Sequence, residues 1–262
     1  MSCGGINYPY YMAPSSQRHP INAVVLLSGG MDSCVCAALA ARNFSPQSVS
    51  ALHVSYGQRT HSRERKSFEA ICDRLGLGAR KWLRNDALRE IGGSALTDDR
   101  IAVPNASESG VAGSPPRAGV ARDGVIEVPV TYVPFRNAHF LAAAVSWAEV
   151  LGASKIYIGA VEQDSSGYPD CRPEYYRAFN EVIRAGTKEG KIEVVTPLIA
   201  MRKWEIVRLG LELGAPFDLT WSCYSQGERA CGRCDSCVLR LRAFEQAGVP
   251  DPIPYAQHQV AH

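Results

Sequence analysis

No apolar run in these 262 residues approaches the roughly 18 that a membrane-spanning helix needs, so a helical membrane protein is excluded at the outset. Charge of one sign is also scarce: 28 Lys and Arg against 26 Asp and Glu leave a net +2, and no strong field announces a nucleic-acid partner. Residues 1–22 lack the apolar stretch and small-residue cleavage site of a secretory signal, so the expectation is a cytoplasmic protein without direct nucleic-acid binding. Two common phosphate motifs are missing. There is no G-x-x-x-x-G-K-[ST] string, hence no Walker lysine, and no G-x-G-x-x-G dinucleotide turn. The nine cysteines are many but odd in number, which argues against a complete disulfide framework.

What is present is an alternation of strands and helices. Ala23 to Leu27 (AVVLL) is a wholly apolar run suited to a strand buried on both faces, and it meets a Gly-rich turn and then a helix-favouring CVCAALAARN. Further strands are expected at Val49–Val54, Lys155–Gly159 and Ile192–Thr196. Helices are expected at Ser62–Leu75, Asn137–Leu151, Pro173–Thr187 and Arg202–Leu213. Strands separated by helical stretches of this length imply βαβ crossovers and an α/β fold, a parallel sheet with helices on both faces. The expected organisation is an irregular arm over 1–22, an α/β domain over 23–215 and a C-terminal segment over 216–262. Residues 104–124 break the alternation, since ten of the 21 are Gly, Pro or Ser, and read as a mobile surface insertion.

The turn Ser28-Gly29-Gly30-Met31-Asp32-Ser33 lies where a buried strand hands over to a helix. Glycines there let backbone N–H groups and a helix N-terminus approach an anion, and phosphate is the expected guest. Ser28 and Ser33 offer hydroxyls; Asp32 either caps the helix or helps hold Mg²⁺ beside the phosphates. Following a buried strand, SGGMDS resembles the pyrophosphate loop of the N-type ATP pyrophosphatases, which cleave ATP between its α and β phosphates to adenylylate a substrate oxygen. Lys203, in MRKWE, is similar to a lysine that those enzymes bring toward the phosphates.

Cys223, Cys231, Cys234 and Cys237 are separated by seven, two and two residues. Four thiolates close a tetrahedral Zn²⁺ site with no open position, which suits a structural role. Two of the same spacers also open an iron–sulfur pattern, but its three-residue spacer to a fourth Cys followed by Pro is absent. Arg229, Arg233 and Arg240 stand near enough in sequence to offset the cluster's negative charge.

A polar loop, residues 162–172, follows the Lys155–Gly159 run, in the place where open α/β sheets bind ligands. Its carboxylates suit the amino groups of a purine-like base, and its Gly and Pro equally suit a plain turn. Arg136 offers a planar fork for a carboxylate or a phosphate, or else a surface ion pair. His61 is a candidate general base or a structural histidine.

Taken together, SGGMDS, VPFRN (Val133–Asn137), SGYPDCR, TPL (Thr196–Leu198), SCY and ACGRCDSC resemble the 7-cyano-7-deazaguanine synthase family of queuosine biosynthesis over roughly residues 23 to 248. The resemblance implies an adenine-nucleotide α-hydrolase-like fold, a zinc site made by the four clustered cysteines, and commonly a homodimer. It implies that Leu27, Ser28, Gly29, Gly30, Met31, Asp32 and Ser33 frame ATP, with Tyr56, Gln58 and Arg59 on the adenine side. Asp32, Lys203 and Arg136 take catalytic roles; Arg136, Asn137, Glu162, Asp164, Gly167, Tyr168, Asp170 and Arg172 meet the second substrate.

The implied reaction joins 7-carboxy-7-deazaguanine, ATP with Mg²⁺ and ammonia. Its rivals are a tRNA-modifying enzyme with the same loop, a paralogue coupling the acid to a protein amine, and an inert zinc adaptor. Many family members carry glycine where this chain has Phe135 and CETD where it has Val161-Glu162-Gln163-Asp164, and the insertion at 104–124 is longer than the family pattern suggests.

Overall fold

The computed structural model describes residues 20–98, 100–103, 119–120, 126–162, 168–225 and 227–256. The arm over 1–19, most of the insertion 104–124, and Asp164 and Gly167 of the polar loop lie outside them.

Five strands form one parallel sheet in the order β3-β2-β1-β6-β7. They are β1 (Ala23–Leu26), β2 (Val49–Ser55), β3 (Arg80–Arg84), β6 (Lys155–Ile158) and β7 (Glu193–Val195). β4 (Gly119–Val120) and β5 (Ile126–Glu127) make a separate two-residue antiparallel pair. β1 is central, with Leu26 opposite Leu52 on one side and Ile158 on the other. All four β1 residues are buried because helices cover both faces.

Alternation along the strands divides the core. Ala23 and Val25 face a cluster with Cys34, Val35, Phe68, Ile71, Ile206 and Phe244. These come from α1 (Met31–Phe44), α2 (His61–Leu75), α6 (Lys203–Glu212) and α7 (Asp235–Ala247). Val24 and Leu26 face Leu141, Trp147, Tyr176 and Ile183 of α4 (Arg136–Leu151) and α5 (Pro173–Gly186). α3 (Ala87–Ile91) follows β3 at the sheet edge.

The helices and strands expected from periodicity are present with their ends moved by at most one residue, except that α1 begins at Met31, three residues before the expected CVCAALAARN run. β3, α3, β4, β5 and α7 lack such a signal. β3 (RKWLR) is an edge strand, with Arg80 and Arg84 exposed at its ends and Lys81, Trp82 and Leu83 half-buried, so it makes no apolar run. α7 starts inside the cysteine motif, so its first turn is spelled in metal-ligand spacing; its Ala243 and Phe244 nevertheless enter the main core.

From β1 the chain builds outward through β2 and β3 and then returns to the other side for β6 and β7. That reversal makes a crevice outside the carboxyl ends of β1 and β6. The two elements meet closely there: a Cβ on Gly159 would lie 2.8 Å from the Ser33 nitrogen.

Candidate active site and cysteine centre

The SGGMDS turn occupies this crevice. Ser28 N–H donates to Ser33 Oγ at 3.2 Å, the two hydroxyls lie 3.0 Å apart, and Ser33 Oγ donates to the Gly30 carbonyl at 3.0 Å. Gly29 takes φ +90°, and a Cβ there would stand 2.7 Å from the Glu64 carbonyl oxygen. Glycine is thus required by both the backbone and the space. No side chain caps α1, so its opening N–H groups remain for an anion.

Asp32 therefore does not serve as the cap. Its Oδ2 accepts from Lys203 Nζ at 2.6 Å, while its Oδ1 is buried without a hydrogen-bond partner. An orphaned carboxylate oxygen beside a phosphate cradle fits a hard divalent cation, which Mg²⁺ sites commonly hold through one or two carboxylates and the phosphates themselves.

A cavity of about 340 Å³ opens from this turn, within the range of small-ligand sites. Of the expected nucleotide residues, Leu27, Ser28, Gly30, Met31, Asp32, Ser33, Tyr56, Gln58 and Arg59 line it. Gly29 stands behind them against α2. Gln58 shapes the loop after β2: its Oε1 accepts the Tyr56 N–H at 2.8 Å and its Nε2 donates to Glu64 at 2.8 Å. Arg59 Nη2 donates to the carbonyls of Asp98 and Ile101, each at 2.8 Å, and so bridges this loop to the next. His61 is exposed outside the cavity, within reach of the Gln58 carbonyl and Ser62.

Of the expected second-substrate residues, Arg136, Asn137 and Tyr168 line the cavity. Arg136 Nη1 donates to the Tyr56 hydroxyl at 3.2 Å and lies over the Tyr56 and Phe140 rings. Among the described residues it forms no ion pair, which removes the surface-pair alternative. Glu162, Asp170 and Arg172 do not line the cavity. Asp170 instead accepts the Asn137 N–H at 3.0 Å across the start of α4, and its carbonyl accepts from Asn137 Nδ2 at 2.9 Å. Burial pushes the Asp170 carboxyl above its ordinary range, opposed by that N–H and by Arg136. Phe135, just before α4, adopts left-handed φ 55°, ψ 25°. That conformation explains why glycine suits the position.

Sequence reasoning does not single out Glu64, Trp221 or Tyr224, which also line the cavity. Glu64 is one of several charged residues on α2, and local spacing does not reveal which of them turns inward.

The sulfurs of Cys223, Cys231, Cys234 and Cys237 all lie within 4.8 Å of one another, so the cluster can hold a metal ion. Tetrahedral Zn–S bonds of about 2.3 Å would separate sulfurs by about 3.8 Å, which this grouping fits. Cys223 Sγ accepts the N–H groups of Ser225 and Cys231, each at 3.3 Å. Hydrogen bonds from the Cys234 and Cys237 thiols hold Cys223 far below its usual range, toward the thiolate that ligates metals. Arg240 is turned away from the cluster: it pairs with Asp251 at 2.7 Å, with both side chains almost wholly buried. Arg229 donates to the Tyr255 carbonyl. The buried Cys34 and Cys72 are different in kind, their thiols pushed up to about 12 by desolvation.

A family model described as "Queuosine biosynthesis protein QueC" matches residues 22–248. A curated relative from Koribacter versatilis, named 7-cyano-7-deazaguanine synthase, is 65% identical over 240 residues, 92% of this chain and 95% of that protein. One from Acidobacterium capsulatum, with the same name, is 64% identical over 246 residues, 94% and 99% of the two chains. Among solved structures, the U34-tRNA thiolase NcsA from Methanococcus maripaludis with its [4Fe-4S] cluster is similar at TM-score 0.46 and 14% identity, covering 87% of this chain and 67% of that one.

Proposed function

The chain belongs to the queuosine biosynthesis protein QueC family, and from that premise we propose that it is a C–N bond-forming ligase making 7-cyano-7-deazaguanine from 7-carboxy-7-deazaguanine, ammonia and ATP. The observation carrying the ATP chemistry is the uncapped α1 N-terminus at the head of the cavity, with the Lys203–Asp32 pair beside it.

Turning a carboxylate into a nitrile removes two oxygens, each a poor leaving group at neutral pH. ATP adenylylates the acid with release of pyrophosphate, and ammonia displaces AMP to give the amide. A second ATP adenylylates the amide oxygen, and loss of AMP leaves the nitrile. Each AMP carries away one substrate oxygen, so two ATP become two AMP and two pyrophosphates.

The protein supplies position and charge. The N–H groups and hydroxyls of residues 28–33 hold the β and γ phosphates, and Lys203 stabilises the pyrophosphate as it leaves. Asp32, through its unpartnered Oδ1, would hold Mg²⁺, which would neutralise phosphate charge. Arg136, presented by the Tyr56 and Phe140 rings, grips the substrate carboxylate or the α-phosphate. Asp170 acts through α4, fixing the helix start that aims Arg136 and Asn137. Tyr168 contributes to the wall around the base.

In this reading the four cysteines hold a structural Zn²⁺, and the enzyme works in the cytoplasm as a homodimer. Among the described residues no helix is long and apolar enough to cross a membrane. The test supplies carboxy-deazaguanine, ammonium, ATP and Mg²⁺ and assays nitrile and AMP. Release of ADP in place of AMP would overturn the assignment of the phosphate turn.

A further inference from the structure

Trp221 stands between the phosphate turn and the cysteine centre. It is only 2% exposed, and its backbone N–H donates to the Gly29 carbonyl at 2.9 Å. Its indole Nε1–H donates to the Ser225 carbonyl at 3.2 Å, and the Ser225 N–H in turn donates to Cys223 Sγ. The Arg63 guanidinium lies 4.3 Å from the ring centroid. Arg63 Nε is buried without a hydrogen-bond partner, and among the described residues Arg63 makes no ion pair. The ring is what holds that charge in place.

The Gly29–Gly30 peptide is flanked by two residues with little steric preference, so the cost of rotating this plane is small. A trans peptide points its C=O and its N–H in opposite directions. A donor that holds the Gly29 carbonyl therefore also sets where the Gly30 N–H points. Within the turn that N–H has only the Ser28 hydroxyl at 3.3 Å, a weak restraint.

We propose that Trp221, clamped by Arg63, is a positioning residue that fixes the Gly29–Gly30 peptide for the pyrophosphate, and that through Ser225 it makes the order of this turn depend on the cysteine centre. The inference deepens the function proposed above and rests on the turn being the pyrophosphate site. Neither residue takes part in bond making. Arg63 acts on Trp221, and Trp221 acts on Gly29.

The test uses the full-length, metal-loaded protein and the variants Arg63→Met, Arg63→Lys and Trp221→Phe. Arg65→Met is the control, because Arg65 stacks on Trp82 at 4.4 Å from the same helix but away from the turn. Amide hydrogen exchange at Trp221 is followed with and without inorganic pyrophosphate, and KM is measured separately for ATP and for the acid.

In Arg63→Met the Trp221 amide should exchange about tenfold faster and KM for ATP should rise by about the same factor, as expected for loss of a half-buried stacked cation. KM for the acid stays unchanged. Arg63→Lys should retain most of the protection, and Arg65→Met all of it. Trp221→Phe, which keeps the ring and loses the Ser225 bond, should also speed exchange, as should removal of the metal by a chelator.

Wild-type exchange in both Arg63→Met and Trp221→Phe, or an equal effect from Arg65→Met, overturns the proposal. So does an equal rise in both KM values. Should the wild-type protein form no AMP, the proposed reaction fails by itself, and the exchange measurements still decide the clasp.

Discussion

Lys203 Nζ lies 2.6 Å from Asp32 Oδ2, an ion pair that joins the first residue of α6 to the phosphate turn across 171 positions of sequence. Both side chains are largely covered, 19% and 24% exposed, and the other Asp32 oxygen is unpartnered. Asp32→Asn keeps the shape and removes the charge that would hold Mg²⁺. Lys203→Met removes the cation proposed to face the pyrophosphate. Each should lower kcat by about 10²- to 10³-fold, the scale of losing one charge-stabilising group. Pyrophosphate release checks this, and an unchanged circular dichroism spectrum separates it from misfolding.

Cys223→Ser should abolish stoichiometric metal binding. Structural zinc sites contribute on the order of 10 kcal/mol, so the segment around α7 should lose its cooperative melting in this variant and on chelation. Metal content by mass spectrometry and thermal melting together make the check. A colourless protein with one zinc per chain is expected, and a brown protein containing iron would refute zinc.

At Phe135 two effects nearly balance. Its left-handed backbone costs roughly 1–2 kcal/mol, and its ring meets Tyr175 at 6.2 Å in an edge contact of the kind worth about 0.5–1.5 kcal/mol. Phe135→Gly should therefore shift stability by under about 1 kcal/mol and retain activity. Phe135→Val loses the ring and adds β-branching in the same backbone state, and should destabilise by about 1–2 kcal/mol. Denaturant titration of the two variants distinguishes the terms.

His53 is buried beneath the turn, with Nδ1 3.0 Å from the Leu27 carbonyl and Nε2 unpartnered. Desolvation lowers its folded pKa below the ordinary 6.5. As pH falls below that unfolded value, the unfolded chain takes up the proton first. This residue's contribution to stability is therefore present above pH 6.5 and is lost on acidification, by up to about 1.4 kcal/mol per pH unit until the folded pKa is reached. Stability curves of wild type and His53→Asn between pH 7 and 5 should diverge by this slope.

Arg240 and Asp251 form a pair whose side chains are 2% and 3% exposed. Among the described residues, Arg240→Met leaves the buried Asp251 carboxylate with the Tyr255 hydroxyl and the Ile253 N–H as its remaining donors. The expected loss is about 3–5 kcal/mol, measured by denaturant unfolding. A loss below 1 kcal/mol would show that solvent reaches the site.

The local chemistry was legible wherever it is written in consecutive residues. A buried run, two glycines and the helix that follows are enough to mark a candidate anion site, and four cysteines at short spacers are enough to mark a cluster that can hold a metal. The partners of those sites are harder to read. Asp170 and Arg172 look like ligand residues in sequence, yet Asp170 tethers the start of α4 and Arg172 sits at the N-terminal boundary of α5. Arg59 looks aimed at a nucleotide and also bridges two loops. Arg63 and Trp221 carry no motif, because their significance lies in a contact between α2 and a segment some 160 residues later.

The order of residues alone determined the alternating architecture, the glycine turn between β1 and α1 and the sulfur cluster, since periodicity and short spacing act through the nearest turns of chain. Only the tertiary structure decided which charges face the cavity, that Lys203 meets Asp32, and that the cysteine segment holds the Gly29 carbonyl. Those outcomes depend on the strand order reversing beside β1, which brings distant strand ends into one crevice, and no local pattern encodes the distance between segments that far apart.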